Sequence, residues 1–373
     1  MIEELNFKNM LRKILENEID SLNVEKALKN SLSRRKPRPC GFTIHTGIGC
    51  VFKCIYCYIE DMGFPWSIKK YSLNGYEIVY SLLSNPYFIP GEKGSLIAIG
   101  SVTEPFHPLT IDTTIDYIDK IAKYLKNPVQ FSTKMYIDNN MAKLILDKDP
   151  GISPLITIVS LKKHRLLEPY APTPEKRFES ISNMRKNGLK PFLFLRPIIP
   201  GLIEEEFENI IDKSIEYGAV GIVTGSLRVT ESILNKFIKT GIDVSELIKR
   251  LPKKPRGREQ VSVYTSDIKE MIAKYARKHG LIFFTEACMA NLYTHGYSCW
   301  KMIHLGYDTG VKPKQPSKSS VYEIASALNI SVEDIKLSDY SIYLWISSGW
   351  NRSILLSELI HSRYRICVRI LRV

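Results

Sequence analysis

Three cysteines stand close together near the start of the chain, at a spacing that could hold a metal centre. Cys50, Cys54 and Cys57 follow the pattern C-x3-C-x2-C within the stretch GCVFKCIYCY. A structural zinc site uses four ligands, commonly in two separated pairs, so three clustered thiolates favour an iron–sulfur cluster. If they bind three irons of a [4Fe-4S] cluster, the fourth iron keeps an open coordination position. A zinc site and three buried free thiols are the alternatives.

The same pattern, with an aromatic residue before the third cysteine, resembles the signature of the radical S-adenosylmethionine (radical SAM) superfamily. The resemblance implies that the open iron binds the amino and carboxylate groups of SAM, and that a 5′-deoxyadenosyl radical then abstracts hydrogen from the substrate. It implies Cys50, Cys54 and Cys57 as the cluster ligands and places the ring and backbone around Tyr56 beside the adenine. The protein's part in such chemistry is to orient and shield the cofactor.

Length and composition are those of an ordinary globular protein. The chain has 373 residues, of which 44% are hydrophobic and 24% charged, enough for one large barrel domain with extensions or two medium domains. No window approaches the about eighteen apolar residues of a membrane span, and the amino terminus is acidic and amphipathic, unlike a signal peptide. The seven cysteines form no regular disulfide framework, which is typical of a reducing compartment. We therefore expect a cytoplasmic protein without a membrane segment.

The chain is strongly basic, with a formal net charge of +13 at pH 7. Such an excess of positive charge attracts polyanions, so nucleic acid is a candidate partner. Two basic segments interrupted by proline, residues 34–39 and 249–258, could lie along a phosphate backbone. The alternative is a lysine-rich proteome, such as that of a thermophile, with solvated basic linkers.

Buried strands alternate with helices after the cysteine stretch. We predict strands over residues 41–46, 95–100, 129–134, 156–160, 192–196, 221–224 and 281–285. Parallel βαβ units in series either close a barrel or leave an open sheet. Polar residues follow most of these strands, which predicts one site at the carboxyl-terminal mouth of a barrel. We predict an α/β fold, a partial TIM-like parallel β/α barrel of about six strands. An open doubly wound sheet is the alternative, but no G-x-G-x-x-G loop supports it.

The polar residues after the strands are similar, in order and spacing, to the spore photoproduct lyase-like branch of radical SAM proteins. The residues that carry this resemblance are Thr103-Glu104-Pro105, Thr133-Lys134, Ser160, Glu168-Pro169 with Arg177, and Arg196-Pro197. The resemblance implies that residues of this set bind SAM: Ser101 and Thr103 its amino group, Lys134 its carboxylate and Ser160 its ribose, with Glu104 and Arg196 beside the cofactor. Where the photoproduct lyase motif has a hydrogen-donating cysteine, residues 100–103 of this chain contain none.

Glu286 and Cys288 follow the last predicted strand. We expect both side chains at the mouth of the barrel, pointing in the same direction, because side chains in a strand alternate. The thiol of Cys288 could donate a hydrogen atom there and Glu286 could contact substrate, so we predict both as catalytic. The alternative for Cys288 is a small buried hydrophobe, which free cysteine most often is. Cys40 and Cys367 are interpreted as structural.

Three domains are expected. Residues 1–39 form a helical extension with a basic segment, residues 40–310 the radical SAM barrel, and residues 311–373 a small C-terminal domain. In that last part, a helix beginning near Ser319 and the sequence NISVED after it resemble the first helix and turn of a helix-turn-helix.

These observations predict an oxygen-sensitive radical SAM enzyme with one [4Fe-4S] cluster. The enzyme would reductively cleave SAM and act on nucleic acid, either in repair of a DNA lesion or in modification of an RNA base. A donor such as ferredoxin or flavodoxin would supply the electron. One alternative is a radical SAM enzyme that acts on a peptide or small metabolite. The other is a nucleic-acid-binding protein whose metal site is only structural.

Overall fold

The structure is a computed structural model that describes residues 1–38 and 40–372. Pro39, the last residue of the basic segment 34–39, and Val373, the last residue of the expected C-terminal domain, lie outside the described residues. The strands are β1 (Gly41–Ile44), β2 (Gly47–Ile48), β3 (Lys69–Lys70), β4 (Leu96–Ile99), β5 (Val129–Thr133), β6 (Ser153–Thr157), β7 (Phe192–Ile198), β8 (Gly221–Ser226), β9 (Arg228–Val229), β10 (Val261–Ser262), β11 (Ile282–Phe284), β12 (Val332–Ser338), β13 (Ser341–Ile346) and β14 (Cys367–Arg372). The α-helices are α1 (Ile2–Glu18), α2 (Ser21–Lys29), α3 (Gly75–Ser84), α4 (Ile111–Lys120), α5 (Asn139–Lys148), α6 (His164–Leu167), α7 (Pro174–Lys186), α8 (Phe207–Glu216), α9 (Glu231–Lys239), α10 (Ser245–Lys249), α11 (Ser266–Lys278), α12 (Ala287–Thr294), α13 (Trp300–His304), α14 (Lys318–Ala327) and α15 (Trp350–Tyr364).

Seven parallel strands form the main sheet, in the order β1-β4-β5-β6-β7-β8-β11. Helices follow most of these strands, and α3, α4, α5, α7, α8 and α11 each contact the next one in this series. The strands are nearly all apolar and buried, as expected for a sheet with both faces covered. Within the described residues the sheet stays open, because β1 and β11 are its two edges. The predicted α/β fold is confirmed, with seven strands where about six were expected.

The inner face of the sheet is filled at one end by α12. Met289, Ala290 and Leu292 of this helix pack against Leu96 and Phe192, which are the first residues of β4 and β7. The Asn291 amide donates to the carbonyl of Pro128, just before β5, over 3.2 Å. Because α12 occupies the amino-terminal ends of the strands, the inner cavity lies at their carboxyl ends.

A long excursion of the chain, residues 227–263, leaves the sheet after β8 and returns before α11. It contains α9, α10 and the antiparallel pair of β9 and β10. Its apolar residues, among them Leu227, Val229 and Phe237, pack against Phe52 and Tyr56 of the cysteine stretch. The excursion therefore covers the segment that carries the three cysteines.

The first helix, α1, packs against the helices of the sheet and is paired with the last helix, α15. Leu11 and Leu15 of α1 pack in the same hydrophobic core as α3 and α4. Glu4 in α1 and Arg363 in α15 form an ion pair, which brings the first and last helices together. None of the helices in this described part has the length and apolar character that crossing a membrane requires.

The C-terminal residues form a small α/β unit with its own hydrophobic cluster. β13 lies between β12, to which it is antiparallel, and β14, to which it is parallel. The expected helix-turn-helix is wrong. α14 ends before Asn329, which has a positive φ of 53°, and the sequence after it forms β12. Ile335 is buried against β13, so tertiary pairing decides the structure of this segment.

Candidate cluster and cofactor site

The cysteine stretch is a loop between the short strands β2 and β3. Gly49 opens it with a φ of +84°, and a Cβ atom at this position would lie 2.0 Å from the carbonyl oxygen of Ser67. Only glycine fits such a position without moving the backbone. Two hydrogen bonds fix the loop, from the Cys50 amide to the Pro65 carbonyl (3.2 Å) and from the Ile55 amide to the Leu167 carbonyl (3.0 Å). The fold therefore holds the loop in one conformation.

The loop lines one side of a cavity at the carboxyl ends of β4, β5 and β6. Eight of the ten metal and cofactor residues predicted from the sequence line it. They are Cys50, Cys54, Cys57, Tyr56, Ser101, Thr103, Glu104 and Lys134. The structure thus brings the cysteines together with most of the polar residues expected to bind SAM, while their individual roles stay predictions.

The spacing of the three thiols favours a cluster over a single metal ion. Thiolates on one tetrahedral zinc ion, at a metal–sulfur distance of about 2.3 Å, lie about 3.8 Å apart. Among the described residues, Cys50, Cys54 and Cys57 do not form a group with all ligand atoms within 4.8 Å of one another. A wider separation suits a four-iron cluster, in which each thiolate binds a different iron. The donor set fits the cluster and disfavours the zinc alternative.

Burial has the largest effect on the pKa of each of the three thiols. Burial raises the pKa of Cys50 to about 11, and it also raises the pKa of Cys54 and Cys57. The positive charge of Lys134 acts in the opposite direction on all three thiols. Since the thiolate is the metal-binding form, a cationic cluster would stabilise these groups far more than the empty loop does.

A buried carboxylate, Glu168, organises one wall of the cavity. Its two oxygens accept hydrogen bonds from the hydroxyl of Tyr56 and from the guanidinium of Arg177, and Lys134 Nζ lies 3.9 Å from it. Burial raises the pKa of Glu168, but the charges of Arg177 and Lys134 outweigh this effect, so the pKa lies below its ordinary value. Lys134 Nζ also lies 5.6 Å from the centre of the Tyr56 ring. The network fixes both Tyr56 and Lys134.

A second buried carboxylate, Glu104, shapes the turns after β4 and β5. It accepts hydrogen bonds from the amides of Lys134 (3.0 Å) and Phe106 (3.2 Å) and from the hydroxyl of Thr133. Burial raises the pKa of this carboxyl above its ordinary value. Its oxygens are therefore engaged in holding the backbone that presents Lys134 to the cavity.

Thr103 offers an unused polar group inside the cavity. Its hydroxyl oxygen is buried and has no hydrogen-bond partner among the described residues. A buried hydroxyl without a partner costs about 1–3 kcal/mol, so a ligand that pairs with it gains this amount. Ser101 is exposed in the same cavity. These two hydroxyls and the Lys134 ammonium suit the amino and carboxylate groups of a methionyl moiety.

Ser160 and Arg196 are not among the residues that line the cavity. The Ser160 hydroxyl donates to a Glu206 oxygen (3.2 Å) and accepts from the Lys163 amide (2.9 Å), so it stabilises the turn after β6. Arg196 has an exposed side chain, with its guanidinium 5.9 Å from the centre of the Phe194 ring. Contacts of these two residues with the cofactor stay predictions.

The expected placement of Glu286 and Cys288 at the mouth of the barrel is wrong. Neither residue lines the cavity, and both lie beside Cys40. Cys40 precedes the four residues of β1 whereas the cysteine loop follows them, so the two groups lie at opposite ends of this strand. The reason is that β11 ends at Phe284 and the chain then enters α12, so strand alternation does not apply. The geometry gives a catalytic role of these two residues no support.

Phe52, Trp66, Thr133 and Thr157 form further walls of the cavity, and of these the sequence analysis named only Thr133, as part of the family resemblance. Thr133 and Thr157 are the last residues of β5 and β6. The rule that places polar strand ends at the mouth would have found them. Trp66 comes from the far end of the cysteine loop, and no sequence pattern pointed to it.

Comparison with known proteins agrees with this geometry. Residues 44–214 match the family model described as the radical SAM superfamily. The uncharacterized protein MJ0683 of Methanocaldococcus jannaschii is 27% identical over 171 residues, which is 44% of this chain and 63% of that protein. The uncharacterized protein ORF301 of Acidianus two-tailed virus is 22% identical over 200 residues, 48% of this chain and 64% of that protein. Both matches span less than two thirds of the relative's own length.

Solved structures share the fold at low sequence identity. A variant of spore photoproduct lyase with bound AdoMet and dinucleoside spore photoproduct has a TM-score of 0.55 and 17% identity, covering 69% of this chain and 81% of that one. Spore photoproduct lyase complexed with dinucleoside spore photoproduct has a TM-score of 0.54 and 16% identity, covering 68% and 79%. Radical SAM proteins use a [4Fe-4S] cluster and SAM, and the cavity residues fit both. The chain therefore carries a radical SAM domain over residues 44–214, and its fold is similar to that of spore photoproduct lyase.

Proposed function

We propose that this chain is a radical SAM enzyme that acts on nucleic acid. The observation that carries the proposal is a cysteine loop that shares one cavity with Thr103 and Lys134 and has an exposed cation and aromatic ring at its rim. When bound, the cluster and SAM supply a 5′-deoxyadenosyl radical, which removes hydrogen from the substrate. The reaction is either repair of a DNA lesion or modification of an RNA base.

The chain's own residues have distinct parts in this proposal. Cys50, Cys54 and Cys57 bind the cluster. Lys134 neutralises the methionyl carboxylate, and the Thr103 hydroxyl pairs with the methionyl amino group. Phe52 and Trp66 close the cavity around the cofactor and reduce the access of water, which protects a radical from side reactions.

The rim of the cavity carries the features of a nucleic-acid site. Lys53 lines the cavity and is exposed, and its ammonium lies 5.4 Å from the centre of the Tyr170 ring. Tyr170 itself is 63% exposed. An exposed ring beside a cation can stack on a base while the cation pairs with a phosphate. Such a pair at the opening of a radical site favours a base as the substrate.

The two basic segments differ in how many of their charges remain free to bind a polyanion. In residues 249–258, Lys253 is paired with Glu259, but the charges of Lys254, Arg256 and Arg258 make no ion pair within the described residues. This segment belongs to the excursion that covers the cysteine loop. In residues 34–38, by contrast, Arg35 donates to the Thr43 carbonyl and Lys36 to Asn351. The loop therefore supports a polyanion at the mouth, whereas the first segment serves the fold.

The structural neighbours give the substrate class further support. Two solved structures of spore photoproduct lyase contain dinucleoside spore photoproduct as a bound ligand. This chain has no cysteine in residues 100–103, so a repair reaction would require a different hydrogen donor. We also propose that the protein works in the cytoplasm with ferredoxin or flavodoxin as electron donor, because a reducing compartment preserves seven free cysteines and an oxygen-sensitive cluster.

Isotope transfer tests the proposal directly. The protein is reconstituted anaerobically with iron and sulfide, and SAM, a reductant and candidate substrates with deuterated sugars or bases are added. We expect label in 5′-deoxyadenosine with one class of DNA or RNA substrate. In the absence of substrate, the variant Tyr170→Ala should cleave SAM at the same rate as the wild type. It should bind the oligonucleotide about 10-fold more weakly, because one base loses its stacking partner.

Two results would contradict the proposal. Label transferred only from a peptide or small metabolite would overturn the nucleic-acid substrate and leave the radical SAM chemistry in place. A protein that binds oligonucleotides but forms no 5′-deoxyadenosine after full cluster incorporation would be a binding protein with a structural metal centre. Tyr322→Ala, which removes another exposed tyrosine on α14, is the matched control and should leave binding unchanged.

A further inference from the structure

A second group of side chains of the types that bind metal ions lies outside the cofactor cavity. The sulfur atoms of Cys40 and Cys288 and a carboxylate oxygen of Glu286 all lie within 4.8 Å of one another. Cys40 immediately precedes β1, and the other two residues begin α12 just after β11. The group thus joins the two edges of the open sheet. In contrast to the motif cysteines, its ligand atoms are close enough for a single ion.

Two distances match a tetrahedral metal site. Cys288 Sγ lies 3.6 Å from Glu286 Oε2, and Cys40 Sγ lies 3.6 Å from His361 Nε2 in α15. With zinc–sulfur distances of about 2.3 Å and zinc–nitrogen or zinc–oxygen distances of about 2.1 Å, neighbouring ligands on a tetrahedral ion lie about 3.6 Å apart. Each of the two pairs has the separation that one zinc ion imposes, and Cys40 links the pair with His361 to the group of three, of which His361 itself is not a member.

The neighbours of these ligands are also those of a metal site. His361 Nδ1 lies 2.8 Å from the carbonyl oxygen of Ile366, which accepts a hydrogen bond from it. This contact fixes the tautomer and leaves the lone pair of Nε2 directed at Cys40, as is usual for histidine ligands. Lys301 Nζ donates to Glu286 Oε1 over 2.5 Å, so the carboxylate is held while Oε2 faces Cys288.

We propose that Cys40, Cys288 and Glu286 bind one tetrahedral divalent ion of the zinc class, and that His361, whose Nε2 lies 3.6 Å from Cys40 Sγ, moves onto the ion as its fourth ligand. Two thiolates, one carboxylate and a neutral imidazole leave a net charge of −1 around the ion, which the ammonium of Lys301 offsets. The ion ties the start of β1, the start of α12 and the C-terminal α/β unit together at the open seam of the sheet. This site is independent of the proposed function, because none of its residues lines the cofactor cavity.

Metal analysis of the full chain tests the site. The triple variant C50A/C54A/C57A removes the motif thiols, so that metal bound by this variant reports on the second site alone. We expect one equivalent of zinc per chain, and one equivalent of cobalt(II) after exchange. The cobalt form should show the intense d–d bands of tetrahedral coordination and a thiolate-to-metal charge-transfer band.

Substitutions in the same background identify the ligands. Cys40→Ala, Cys288→Ala and His361→Ala should each weaken cobalt affinity by at least about 100-fold, and Lys301→Ala by about 10-fold. Cys299→Ala is the matched control, since this buried cysteine of the same region does not belong to the group, and it should keep full binding. Circular dichroism of each variant verifies that it is folded.

Several outcomes would overturn the site. They are a folded protein that binds no zinc or cobalt, a cobalt spectrum of octahedral type, and affinity that is unchanged in Cys288→Ala. A disulfide between Cys40 and Cys288 in protein purified without oxygen would also overturn it, as would iron and sulfide bound by the triple variant. None of these results depends on SAM cleavage, so the site and the proposed function fail or stand separately.

Discussion

Two buried carboxylates hold the walls of the cavity in place. Glu168 is paired with Arg177 and Tyr56, and Glu104 accepts hydrogen bonds from the backbone around Lys134. Both carboxylates use their oxygens for the protein. The groups left for a ligand are therefore the Lys134 ammonium, the unpaired Thr103 hydroxyl and the exposed Ser101 hydroxyl. Such support from neighbouring residues keeps a site in its binding geometry before the ligand arrives.

Lys8 in α1 is a buried lysine whose titration should be visible in the stability of the whole protein. Its ammonium donates to the carbonyl oxygens of Asn85 and Phe88. Burial lowers the pKa of Lys8 to about 7, and the charge of Arg12 lowers it further. In the unfolded chain a lysine keeps its proton up to about pH 10.4. Between these values the unfolded state binds more protons, so stability must rise with pH.

We therefore predict that the free energy of unfolding increases between about pH 7 and pH 10 by on the order of 4 kcal/mol through this group. In the variant Lys8→Met this component is absent. Urea unfolding over the pH range measures it as the difference between the wild type and the variant. Lys13→Met, at an exposed position of the same helix, should keep the wild-type pH dependence. Equal pH profiles for the wild type and Lys8→Met would contradict the prediction.

At the scale of elements, the cysteine loop depends on one glycine. Gly49→Ala would place a Cβ atom 2.0 Å from the Ser67 carbonyl oxygen and 2.5 Å from that of Pro65, so the backbone must move. We predict that iron incorporation falls to background in this variant, because the cysteines leave their positions. Iron and sulfide per chain after anaerobic reconstitution are the measurement.

Gly63 offers a matched control for this prediction. It lies in the same loop with a φ of +81°, but a Cβ atom there meets nothing within 4 Å. Gly63→Ala adds only backbone strain, worth about 1 kcal/mol, and should bind iron normally. If both variants lost iron equally, the loss would come from the backbone strain of a positive φ and not from the close approach of a Cβ atom at Gly49 to the backbone.

The order of the strands could be predicted from the apolar runs in the sequence, and the cysteine loop from the spacing of its cysteines. The ends of the elements were harder to predict. β6 begins at Ser153, three residues before the predicted start. Pro154 has no backbone N–H to donate, but a proline near the beginning of a strand is tolerated. Long-range contacts were not predictable. Only the fold shows that Cys288 meets Cys40 and His361, and that the segment after Asn329 pairs as β12.

At the scale of the whole molecule, the two ends of the barrel differ in chemistry. The carboxyl ends of the strands carry the cofactor cavity, the excursion of residues 227–263 and the basic loop 249–258. The opposite end is filled by α12 and is joined to the C-terminal unit through Cys40 and His361. A net charge of +13 alone would predict binding of polyanions over the whole surface. The proposed function requires binding at one end.

Salt dependence distinguishes these two possibilities. The variant K254A/R256A/R258A removes three charges from the basic loop, and K274A/R277A/K278A removes three exposed charges from the end of α11, which leads into the start of β11. If each loop residue contacts a phosphate, the slope of log affinity against log salt for duplex DNA becomes shallower by about 2–3 in the loop variant. The α11 variant should keep the wild-type slope, because its charges lie at the far end of the barrel. Fluorescence anisotropy over a range of salt concentrations measures both slopes. If the slope changed equally in the two variants, the protein would bind DNA through its net charge and not through the mouth of the barrel.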